Sequence, residues 1–158
     1  MGAMVEQKHM ERVLEYIAVG QKEGASLALG GKQIMQNTGG FYVEPTIFDE
    51  VKPDMRIAQE EIFGPVLAVI PFDTEEEAVR IANGTVFCLG GSVWTSDMNV
   101  AHRVSGAIRA GTVWVNCYDK SSPVTPFGGF KQSGFGRDRS PHAVDKYMDY
   151  KTIWTVYK

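Results

Sequence analysis

At 158 residues the chain makes one ordinary domain, large enough to bury roughly two thirds of its unfolded surface. Its 16 Lys and Arg stand against 19 Asp and Glu, a net charge of −3, so there is none of the basic excess that nucleic acid or an anionic membrane favours, and neither is an expected partner. No apolar run approaches the roughly 20 residues that cross a bilayer, no secretory signal opens the chain, and Cys88 and Cys117 read as reduced thiols, which together suggest a soluble, cytoplasmic protein.

Met1 to Met4 reads as a cloning remnant ahead of the natural chain. From Val5 to Lys22 the residues Met10, Val13, Leu14 and Ile17 recur at helical spacing, and Gly24 is placed to stop the helix. Leu27 to Leu29 is a short apolar strand, and Phe41 to Phe48 alternates as a strand before a turn at Lys52-Pro53. Val66 to Phe72 is a continuous apolar run suited to a strand covered on both faces. Asp73 or Thr74 then caps a helix with Glu75, Glu76 and Glu77 in its first turn and Ala78, Ile81 and Ala82 on its inner face. Gly91 to Thr95 is the next strand, Asp97 caps a helix burying Ala101, Val104 and Ile108, and Gly111 precedes a strand from Thr112 to Asn116. The order βαβαβ predicts an α/β fold with right-handed crossovers and a mainly parallel sheet between helices, a three-layer sandwich whose ligands lie beyond the carboxyl ends of the strands. A short helical stretch from Ser140 to Met148 follows, and Tyr150 to Tyr157 alternates as a terminal strand.

Few side chains offer chemistry. Cys117, at the end of the Thr112 strand, would be a nucleophile if a base lowered its pKa, but Asp119 is near it and no histidine is, so a structural thiol is the simpler reading; Cys88 among Phe87, Leu89 and Gly90 reads the same way. His9, His102 and His142 lie on separate helices without metal-ligand spacing. Glu60-Glu61-Ile62-Phe63-Gly64-Pro65 has two readings. It is either a charged surface turn or a carboxylate that accepts ligand hydroxyls beside an aromatic that packs on a planar group. The glycines of Pro126 to Arg137 lack the spacing of a phosphate loop and fit close backbone packing and positive φ instead.

EEIFGPV, AGTVWVNCY and PFGGFKQSGFGRD, in that order and with these separations, resemble the C-terminal third of the aldehyde dehydrogenase superfamily. "EPTIFDEV" and the terminal "KTIW" are similar to its betaine aldehyde and aminoaldehyde branches. The resemblance implies a parent enzyme that is NAD(P)-dependent, with NAD favoured, and that oxidises a small aldehyde to an acid through a cysteine thiohemiacetal. It also implies that the nucleophile, general base and oxyanion donor precede the matched residues, so residues 5–149 form the C-terminal portion of the catalytic domain and are inactive alone. By position, Glu61 resembles the ligand of the nicotinamide ribose, Phe63 an aromatic at that end of the cofactor, and His9 a polar residue near the adenosine ribose. Leu89 stands at a further cofactor position, Phe127 at the wall of the aldehyde tunnel, and Lys120 and Ser121 on its variable loop. Residues 150–158 resemble the strand that joins the oligomerisation element, which implies a homo-oligomer. The alternative from the residues alone is a non-enzymatic α/β module that associates through its last strand.

Overall fold

The computed structural model describes residues 1–158 and divides into two compact units, Met1–Thr74 and Glu75–Lys158. In the first, helix α1 (Gln7–Lys22) is followed by strands β1 (Ser26–Leu29), β2 (Gln33–Ile34), β3 (Tyr42–Val43) and β4 (Thr46–Asp49), the short helix α2 (Arg56–Gln59) and strand β5 (Val66–Ala68). The second contains α3 (Glu75–Asn83), β6 (Phe87–Cys88), β7 (Gly90–Val93), α4 (Met98–Ala107), β8 (Thr112–Val115), β9 (Phe130–Lys131) and a 3-10 turn over Pro141–Tyr147.

In the first unit α1 ends as its glycine predicts. The Ala25 N–H donates to Gly20 O at 3.0 Å and the Gly24 N–H to Gln21 O at 3.1 Å, with Gly24 at φ 95°, so the last carbonyls are satisfied by a left-handed reversal that glycine adopts without strain. The apolar face of α1, Met10, Val13, Tyr16 and Ile17, buries against Phe48, Val51, Met55 and Ile57. Phe48 and Val13 are fully enclosed, and a side chain of that kind stabilises a fold by about 1.5–3 kcal/mol on burial. The sheet runs β1-β4-β5, antiparallel then parallel, with β2 and β3 forming a separate hairpin. Its one buried polar side chain, Thr46, is paired, accepting from the Gly31 N–H and donating to Glu44 O. Met4 packs on this core as well, and its N–H donates to Phe41 O at 2.7 Å.

The second unit holds a parallel βαβ, β7-α4-β8, in register from Gly90 opposite Thr112 to Val93 opposite Val115. Asp97 caps α4 as predicted, its carboxylate accepting from the N–H groups of Asn99 and Val100. Two side chains join the helices. Arg103 makes a two-pronged bond to Glu75, and the Asn83 amide donates to Ala107 O and accepts from the Arg109 N–H.

The class is mixed α/β as expected, with parallel pairing at β4·β5 in the first unit and β7·β8 in the second, while β6, absent from the expected elements, pairs antiparallel with β9. Two expectations change. The run from Val66 is a strand only to Ala68 and is not covered on both faces, since Leu67 on the strand and Phe72 beyond its end stay more than half exposed. Residues 150–158 form no strand, because a ladder needs a neighbour and none of this chain's strands takes this segment; Tyr150, Trp154, Val156 and Tyr157 all lie open.

Candidate functional site

In the first unit the chain leaves α2 in extended backbone at Glu60, and from 60 to 63 successive side chains alternate between being held and being presented. Both carboxylate oxygens of Glu60 are taken. Tyr16 Oη donates to one at 2.7 Å, and the Arg56 guanidinium grips both at 2.8 and 2.9 Å. These bonds, that of Arg56 first and that of Tyr16 next, pull the Glu60 carboxyl down to about 2, and the same pair raises Arg56 above its ordinary value. Glu61 is exposed and its carboxylate has no partner. Ile62 drops into the core at 8% exposure, whereas the Phe63 ring is 75% exposed. Phe63 has φ 56°, which turns its carbonyl onto His9 Nε2 at 2.6 Å, so His9 carries its proton on Nε2. At Gly64 an added Cβ would come within 2.6 Å of a Val13 methyl, so the turn lies against α1 only because the residue is glycine.

The structure therefore separates the paired glutamates into one held and one free. It also brings together His9 and Phe63, whose rings lie 5.7 Å apart. The resemblance had placed these two at opposite ends of a cofactor, and the contact puts them side by side. Tyr16 and Arg56 went unnoticed in the sequence, although the spacing of Arg56 and Glu60 by one helical turn is the usual signal of an ion pair.

In the second unit, Leu89 lies between β6 and β7, partly exposed, beside a cleft of about 300 Å³ whose lining includes Phe87, Ser92 and Arg109. Lys120 and Ser121 are exposed on the loop after β8, and Trp114 Nε1 fastens that loop by donating to Lys120 O at 2.7 Å. Phe127 is half-buried. Its backbone exchanges two hydrogen bonds with Asp138, at 2.8 and 2.6 Å, and the Arg139 guanidinium lies 5.3 Å from its ring. Arg137 braces the glycine loop by donating to Gly129 O and Gly136 O. Close packing is what these glycines serve: a Cβ on Gly111 would lie 1.6 Å from Gly128 O, while Gly134 and Gly136 take positive φ.

Cys117 is half-buried and free, with no hydrogen bond to any base; Cys88 is buried and free. No group of three His, Cys, Asp or Glu residues is arranged to hold a metal ion. No helix is long and apolar enough to cross a membrane.

Residues 1–153 match the aldehyde dehydrogenase family. The betaine aldehyde dehydrogenase of Agrobacterium fabrum is 47% identical over 156 residues, which is 98% of this chain and 31% of that protein. Among solved structures, an indole-3-acetaldehyde dehydrogenase in complex with NAD+ is 59% identical with a TM-score of 0.93, covering 97% of this chain and 31% of the other. The aldehyde dehydrogenase KauB from Pseudomonas aeruginosa is 56% identical with the same TM-score and the same coverage. The chain thus spans about a third of the length of the relatives it matches. With a match over nearly all its residues and the superposition of its backbone on solved members, the chain belongs to the aldehyde dehydrogenase family.

Proposed function

We propose that these residues are the C-terminal part of the catalytic region of an NAD-dependent aldehyde dehydrogenase, which oxidises a small aldehyde to the carboxylic acid. The free carboxylate of Glu61, beside an exposed Phe63 ring on a turn that is otherwise fastened, is the observation that carries the reading. An unpaired carboxylate can accept two vicinal hydroxyls, and an open aromatic face suits a planar ring, so the turn fits the ribose and nicotinamide of a dinucleotide. Bound there, the dinucleotide supplies the hydride acceptor. Glu61 holds the ribose, Phe63 limits the freedom of the ring, and His9, through its bond to the Phe63 carbonyl, serves the same end of the cofactor. Leu89 adds an apolar contact to the cofactor. Phe127 walls the aldehyde channel, with Lys120 and Ser121 on its variable loop.

The thiol that attacks the aldehyde comes from elsewhere in the parent enzyme. Cys117 has no base to make its thiolate, so these residues alone do not oxidise aldehydes. The exposed segment 150–158 pairs with strands of the parent's oligomerisation element, giving a homo-oligomer, and a reducing cytoplasm keeps both thiols free. Purified residues 1–158 mixed with NAD+ and an aldehyde should form no NADH, as followed by nicotinamide absorbance. NADH formation that Cys117→Ser abolishes would overturn this division of labour.

A further inference from the structure

The turn that carries Glu61 is tied to α1 at two points. His9 and Tyr16 are seven residues apart, which places them on one face of the helix and about 10 Å apart along its axis. Their partners, the Phe63 carbonyl and the Glu60 carboxylate, lie on either side of Glu61 and Ile62. The turn therefore runs along the helix in the opposite direction, with Glu60 at the Tyr16 end and Phe63 at the His9 end. Glu61 sits between the ties, and nothing holds its own carboxylate; its place is set wholly by its neighbours. Glu60 is the nearer of these. The Tyr16 ring that reaches it is itself fixed at the edge of the core, with the Arg12 and Arg56 guanidinium groups 5.7 and 5.5 Å from its centre. The low Glu60 pKa keeps the acceptor ionised through neutral pH.

We infer that Tyr16 is a positioning residue for cofactor binding: its hydroxyl, through Glu60, sets where the Glu61 carboxylate stands. The inference rests on the reading of Glu61 as the ribose ligand. The Tyr16 hydroxyl touches no cofactor, and the helix keeps its Val13 and Ile17 packing without it, so losing the hydroxyl should disturb geometry more than folding.

The test uses the intact dehydrogenase that contains this chain, with Tyr16→Phe placed in the wild type and in Glu61→Gln. Tyr16→Phe keeps the ring and removes only the bond to Glu60. It should raise the KM for NAD+ by roughly three- to tenfold and leave the KM for aldehyde unchanged. In the Glu61→Gln background it should add less than about twofold, because the group it positions has already been changed. An unchanged KM for NAD+ in Tyr16→Phe, while Glu61→Gln raises it, overturns the positioning role and leaves the ribose reading intact. The same factor in both backgrounds shows Tyr16 acting independently of Glu61 and also overturns it. No effect of Glu61→Gln overturns the ribose reading, and the inference with it.

Discussion

Glu60 and Glu61 have the same side chain and adjacent positions, yet Arg56 and Tyr16 use up the acceptors of the first and leave the second open. The consequence for stability has a definite sign. The Glu60 carboxyl falls from 4.5 to about 2 on folding, so it binds fewer protons folded than unfolded, and its contribution is complete above about 4.5 and lost as pH falls towards 2. Glu75, gripped by Arg103, and Asp138, bonded to Lys146, shift in the same direction. Melting temperatures of the chain measured against pH should therefore decline through that acid window, and Glu60→Gln should make the decline shallower; an equal decline in the variant would show that the pair does not stabilise the fold. Close packing gives a second prediction. Gly111→Ala forces a methyl onto Gly128 O, so it should cost roughly 3 kcal/mol in denaturant unfolding or displace the Phe127 loop, the upper end of what overpacking does.

Among the elements, α1, α3 and α4 were legible because each carries a local start or stop signal, whereas α2, a single turn, has none. The Asp97 cap, the acidic first turn of α3 and Gly24 all act within one turn of the residues they govern, and the structure uses Asp97 and Gly24 as their chemistry requires. Asp97→Ala should lower stability by about 1 kcal/mol, measured by chemical denaturation, since it strips the acceptor from two N–H groups. Strands were less legible. The apolar run from Val66 to Phe72 reports how much surface must be covered but not by which neighbour, and β6 and β9 are too short to show any alternation. The candidate site divides in the same way. The residues of the Glu60 to Gly64 turn could be named from the motif, and the Arg56–Glu60 spacing marks which carboxylate is held, whereas the bond from Tyr16, 44 residues away in sequence, is carried by no local pattern.

For the whole molecule, the same distinction explains the open tail, a sequence shaped for pairing that forms no strand. Deleting residues 152–158 should reduce self-association in light scattering and leave the circular dichroism of both units unchanged, whereas loss of secondary structure would show that the tail supports the fold. The division of roles between Glu61 and Cys117 is tested most directly by single-turnover hydride transfer in the intact dehydrogenase. Glu61→Gln is expected to slow the transfer roughly tenfold or more, equivalent to about 1.4 kcal/mol of lost positioning, and Cys117→Ser to leave it unchanged. A wild-type rate in Glu61→Gln, or transfer abolished by Cys117→Ser, would contradict the assignment of cofactor positioning to this chain and of the nucleophile to the rest of the enzyme.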